Sequence, residues 1–139
     1  MVPGAFVRVL FPTREKPRQP GLLHIGYMLV VTATEAMVAY TTSQPWPAAV
    51  PLPAGARVFS SEEALRLNQS RAFLLRLDVL ARLPLTPIWF PDLNRGAPYL
   101  NRGANEVIAV APAPLQAELA KFAINLARRR REVVQMRGP

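Results

Sequence analysis

In Met37-Val38-Ala39-Tyr40-Thr41-Thr42-Ser43-Gln44-Pro45, an apolar segment runs directly into a cluster of polar side chains. The first half of this stretch is apolar and aromatic, which is typical of a strand interior. Hydroxyl and amide side chains follow, and such groups gain most where water or a ligand reaches them. Pro45 then ends the strand. The stretch predicts a rigid strand that carries small polar groups to a site.

The segments on either side predict a β-rich chain. Residues 27–31 form a continuous apolar run, and Thr32-Ala33-Thr34-Glu35 can turn the chain into 36–40 as an antiparallel hairpin. Residues 5–11 alternate like a strand. Residues from 72 onward fit either a strand or a helix. Ser60 and Glu63 have the spacing of a helix-capping box.

The clearest helix is predicted at residues 112–134, with a basic end. Leu115, Leu119, Phe122 and Leu126 fall on one stripe of it. Arg128 to Arg131 follow, near the C-terminal end of the helix dipole. This arginine run is either a solvated helix terminus or a contact to RNA or to an acidic partner.

Composition limits the fold to one domain, residues 1–139. Half of the 139 residues are hydrophobic, and 15 prolines favour many short elements over a helical bundle. We therefore expect a mainly β fold of the α+β class. The chain has no cysteine and only one histidine. We therefore expect no disulfide, no metal site and no cofactor.

The charge predicts a polyanionic partner. Seventeen Lys and Arg against nine Asp and Glu give a net charge of +8, which favours nucleic acid or an acidic protein. The alternative is that the charge only aids solubility. No apolar run reaches the roughly 18–20 residues that span a bilayer. The N-terminal region does not resemble a secretion signal, so we expect no membrane association and a cytoplasmic location.

Three cations lie in the proline-rich loop 13–21. Arg14, Lys16 and Arg18 are either solvated charges or a lid that contacts an anion. The second alternative would place phosphate near the polar end of the strand at Thr42.

These pieces resemble the PemK/MazF family of toxin endoribonucleases. The matching segments, in chain order, are Pro3-Gly4-Ala5-Phe6-Val7-Arg8-Val9-Leu10-Phe11-Pro12, the strand at 27–31, Tyr40-Thr41-Thr42-Ser43-Gln44, and Asn68-Gln69-Ser70-Arg71-Ala72-Phe73 followed by Leu83-Pro84-Leu85-Thr86 and Trp89-Phe90. The resemblance implies a small SH3-like β-barrel with a C-terminal helix, and it favours a strand after Ala72. It also implies a metal-independent endoribonuclease that cleaves single-stranded RNA, a growth-inhibiting toxin that forms a homodimer and pairs with an antitoxin protein.

One departure from the family concerns the catalytic residues. An Arg-Pro pair normally precedes the strand at 27–31, and its arginine takes part in RNA cleavage; here the residues are Leu23-His24-Ile25-Gly26. Either His24 replaces the missing charge, or Arg18 reaches in from the loop, or the chemistry has been lost.

The barrel implied by the resemblance would bring His24 and Thr42 to the same end of the hairpin. We therefore assign His24 as general acid or base, Arg18 as phosphate clamp, and Thr42 and Ser43 as transition-state donors. Further RNA contacts are assigned to Arg14, Lys16, Gln44 and, as a secondary cation, Arg71. The competing hypotheses are a non-catalytic barrel that binds RNA or a protein through its basic surface, and a purely structural or regulatory interaction protein.

Overall fold

The computed structural model describes residues 2–93, 107–129 and 134–137. In chain order the elements are β1 (Ala5–Leu10), β2 (Leu23–Val31), β3 (Glu35–Thr42), β4 (Ala56–Phe59), α1 (Ser61–Arg66), β5 (Phe73–Pro84), β6 (Ala109–Val110), α2 (Ala113–Ala127) and β7 (Val134–Arg137). The sheet order is β4-β5-β3-β2-β1-β6 with antiparallel neighbours, and β7 pairs in parallel with β5. The sheet curls into a half-barrel. The predicted mainly β fold of the α+β class, a small barrel with a C-terminal helix, is confirmed.

The β2–β3 hairpin turns where the sequence predicts it. The Thr32 N–H donates to the Glu35 carbonyl at 2.8 Å, and the Glu35 N–H donates to the Thr32 hydroxyl at 3.1 Å. Strand β2 is longer than the predicted 27–31, because it begins at Leu23. His24, expected just before the strand, therefore lies inside it and opposite Val9 of β1.

Strand β5 resolves the ambiguity after Ala72 in favour of a strand. It runs for 12 residues and pairs with both β3 and β4. Its pairing with β3 sets Arg76 opposite Tyr40. Residues that are distant in sequence thereby reach the polar end of β3.

The sheet buries apolar side chains on both faces. Consecutive residues of a strand point to opposite faces, and accordingly Phe6 and Val7 belong to two different buried clusters. Helix α2 covers the first cluster with Leu119 and Leu126. Trp89, which follows β5, belongs to the second cluster. With both faces covered, the strand ends that carry polar residues are fixed in place.

Both predicted helix signals are present. Ser60 caps α1, and its hydroxyl and the Glu63 carboxylate form the expected capping box. Helix α2 covers 113–127 of the predicted 112–134, and Val134 already lies in β7. Arg128 and Arg129 are exposed. Arg130 and Arg131 of the predicted basic end lie outside the described residues.

No helix among the described residues is long and apolar enough to cross a membrane.

Candidate functional site

The start of β2 and the end of β3 bring His24 beside the polar strand end. The Thr41 hydroxyl donates a hydrogen bond to the Ile25 carbonyl, which ties the two strands together at this point. The His24 imidazole also hydrogen-bonds to the Thr41 backbone. Thr42 and Ser43 continue the chain at the same end. The imidazole and the two hydroxyls therefore share one edge of the hairpin.

Two cavities meet at His24. The first, here called the Gln69 cavity, has a volume of about 320 Å³ and is lined by Arg8, Leu23, His24, Ile25, Thr41, Thr42, Ser43, Gln69 and Phe73. The second, here called the Arg14 cavity, has a volume of about 490 Å³ and is lined by Phe11, Pro12, Thr13, Arg14, Leu22, His24, Tyr40, Arg76 and Val79. Of the residues described, His24 is the one that lines both cavities.

Burial favours the neutral form of the His24 imidazole. Burial lowers the pKa of His24 from its usual 6.5, because a buried cation loses hydration. The hydrogen bond to the Thr41 backbone raises the pKa and offsets part of that decrease. Tyr40 packs against the imidazole with ring centroids 4.8 Å apart and planes tilted by 57°. A neutral, oriented imidazole is in the form that accepts a proton.

Two of the three arginines that line the cavities are paired with carboxylates. Arg76 donates to Asp78 through two nitrogens, at 3.1 and 2.7 Å. Arg8 donates to Asp92 at 2.8 Å, and Asp92 is 4% exposed. Arg14 makes no side-chain hydrogen bond or ion pair to the part of the chain that the structure describes. Arg14 is therefore the lining cation best able to attract an anion.

The structure brings together some of the predicted site residues and separates the others. His24, Thr42 and Ser43 line the Gln69 cavity, and Arg14 lines the Arg14 cavity with His24. The remaining predicted residues are exposed and lie outside the residues that line these two cavities: Lys16, Arg18, Gln44 and Arg71. The predicted phosphate clamp, Arg18, is thus not at the cavity wall in this conformation, whereas Arg14 of the same loop is.

Four residues at or beside the site were not predicted from the sequence. Arg76 and Asp78 stand two apart in an apolar strand, so they share a face, and that spacing was the available signal for their pairing. Tyr40 was read as the apolar end of its strand, although it contacts His24. Gln69 gave no signal of its own, because its position depends on the turn after α1.

The part of the site that the structure describes contains no group of metal ligands. Among the residues that the structure describes, no three His, Asp or Glu side chains lie close enough together to hold a metal ion. The polar side-chain groups that line the two cavities are one imidazole, one amide, three guanidinium groups and the hydroxyls of Thr13, Tyr40, Thr41, Thr42 and Ser43.

Comparison of the chain with protein-family models and with curated proteins found no match.

Proposed function

We propose that this chain is a metal-independent endoribonuclease that cleaves single-stranded RNA. The observation that carries the proposal is the position of His24 between the Arg14 cavity and the hydroxyl groups of the Gln69 cavity. This arrangement sets a proton acceptor, a cation and hydroxyl donors around one point, which are the groups that phosphodiester cleavage requires.

His24 acts as the general base. Its neutral imidazole takes the proton of a ribose 2′-hydroxyl, and the resulting oxygen attacks the adjacent phosphorus. The bond from phosphorus to the 5′-oxygen breaks, and that oxygen takes a proton from water. The hydroxide that remains takes the proton from the His24 imidazolium, which restores the neutral base. The products are a 2′,3′-cyclic phosphate and a free 5′-hydroxyl. The lowered pKa of His24 supports this role, because it favours the neutral imidazole that can accept a proton.

Arg14 and the strand-end hydroxyls stabilise the charge that develops on the phosphoryl oxygens. A guanidinium presents several N–H donors in a plane that matches phosphate oxygens. Thr42 and Ser43 can donate from the opposite cavity. Arg14 replaces Arg18 in the clamp role, since Arg14 lines a cavity together with His24.

The biological setting follows from the PemK/MazF resemblance and the charge. A net charge of +8 supports binding of a polyanion such as RNA. As in the family that it resembles, the protein would be a cytoplasmic, growth-inhibiting toxin, form a homodimer and be neutralised by an antitoxin protein.

A second candidate is a non-catalytic barrel that binds RNA or a protein partner through its basic surface. The observation that favours it is the pairing of Arg8 with Asp92 and of Arg76 with Asp78. These carboxylates reduce the positive charge available near His24, and the Arg-Pro pair of the resembled family is missing there. Binding would then depend on exposed cations such as Lys16 and Arg18.

Purified protein incubated in EDTA with a single-stranded RNA and with DNA of the same sequence separates the two candidates. The nuclease cuts the RNA, leaves cyclic phosphate ends and spares the DNA, which has no 2′-hydroxyl. Intact RNA together with salt-sensitive RNA binding would refute the nuclease and favour the binder. If RNA is neither cut nor bound, both fail, and a protein-interaction role becomes the leading hypothesis.

A further inference from the structure

Gln69 is a buried glutamine whose side-chain Nε2 donor has no hydrogen-bond partner among the described residues. Its backbone N–H donates to the Ala64 carbonyl at 2.9 Å, and Asn68 before it adopts a φ of 56°, so the turn after α1 fixes its position. The residue is 8% exposed, and its Nε2 makes no hydrogen bond to residues 2–93, 107–129 or 134–137. Folded proteins rarely leave a buried amide unpaired, and such a group calls for a physical explanation.

The surroundings of Gln69 combine apolar walls with a few polar groups. Leu23, Ile25 and Phe73 supply apolar surface to the Gln69 cavity. The Thr41 hydroxyl is occupied by its hydrogen bond to Ile25. Ligand sites in proteins have this composition, with a small number of polar groups that fix orientation.

We propose that the Gln69 cavity binds a nucleobase of single-stranded RNA and that the Gln69 amide reads its hydrogen-bonding edge. This inference rests on the proposed function, because it adds a base subsite beside the reacting phosphate. An amide offers a donor and an acceptor side by side, which matches a base edge that presents an acceptor beside a donor. Single-stranded RNA exposes such edges, and proteins read them by hydrogen bonding.

A phosphate is a poorer match for the same position. Gln69 carries no charge, and the arginine of this cavity, Arg8, is already paired with Asp92. A volume of about 320 Å³ lies at the lower end of the ~300–1,000 Å³ range of ligand pockets. The cavity is therefore of a size to hold one flat ring system and not an extended strand.

The test measures base selectivity in binding. Short single-stranded RNAs that differ at one position are titrated against His24→Ala protein, so that no strand is cut, and against the same protein carrying Gln69→Met. We expect the parent to prefer one base by about tenfold, as a bidentate contact provides, and Gln69→Met to lose that preference. Gln69→Glu, which removes the donor, should change which base is preferred.

The matched control is Gln116→Met, because the Gln116 amide is bonded to the Ala111 carbonyl and lies outside the residues that line the Gln69 cavity. This variant should keep the base preference. RNA binding with the same base preference in Gln69→Met would overturn this inference alone. An absence of RNA binding in every variant would overturn the proposed function with it, whereas base-selective binding without cleavage by wild-type protein would refute only the nuclease.

Discussion

Replacing Gln69 with methionine should make the protein more stable, although the change removes a polar group from a buried position. The Nε2 atom of Gln69 has no partner among the described residues, and an unsatisfied buried donor costs about 1–3 kcal/mol. Methionine has a similar length and fills the same space without a donor. Allowing for imperfect packing, we expect a gain of about 1–2 kcal/mol.

Thermal unfolding followed by circular dichroism measures this gain. For 139 residues the unfolding entropy is about 0.3 kcal/mol/K, so each kcal/mol moves Tm by about 3 °C. Gln69→Met should therefore raise Tm by about 3–7 °C. Gln116→Met, which breaks a bond of 2.7 Å to the Ala111 carbonyl, should lower Tm by about 2–5 °C. A fall in Tm for Gln69→Met that matches the control would show that the Gln69 amide is hydrogen-bonded within the protein, contrary to this prediction.

Three further predictions concern the charged groups of the site. Arg14→Ala should slow RNA cleavage by about tenfold or more, whereas Arg18→Ala in the same loop should change it by less than about twofold; equal effects would remove Arg14 from the site. Asp78→Asn should lower the free energy of unfolding, measured by urea titration, by about 2 kcal/mol, because it breaks an ion pair that is only partly exposed. It should also free Arg76 to contact phosphate and so steepen the log–log salt dependence of RNA binding by about 0.7. An unchanged slope would mean that Arg76 does not contact phosphate. Because burial lowers the pKa of His24 below 6.5, the wild-type protein should lose stability as pH falls from about 7 through the lowered pKa, and His24→Gln should lose less; parallel pH curves would contradict the lowered pKa.

The strands were predictable from sequence wherever apolar runs or alternation were continuous, as in β1 and β3. The start of β2 was missed because the prediction followed the continuous apolar run at 27–31, whereas the strand begins at Leu23 and includes Gly26. In the structure a Cβ at Gly26 would lie 2.4 Å from a Val38 methyl and 2.8 Å from a Val9 methyl. The glycine thus permits close packing within the strand, a requirement that depends on neighbours distant in sequence.

The candidate site was predictable only where it depends on local order. His24, Thr42 and Ser43 were placed together because the two strands of one hairpin share an end. Arg14 and Arg18 could not be distinguished, since the sequence does not show which side chain of a loop points toward the cavity. Arg76 enters the site through the pairing of β5 with β3, where it lies opposite Tyr40. No short segment of sequence shows how strands that are distant in the chain pair with each other.

The role of His24 as the general base is tested most directly by the rates at which wild-type protein and His24→Ala cut the same single-stranded RNA in EDTA. Circular dichroism verifies that both proteins are folded. Removal of the general base should lower the rate by about 10²–10⁴-fold while the fold and RNA binding persist. Cleavage by folded His24→Ala at the wild-type rate would contradict the assignment of His24 and the mechanism built on it.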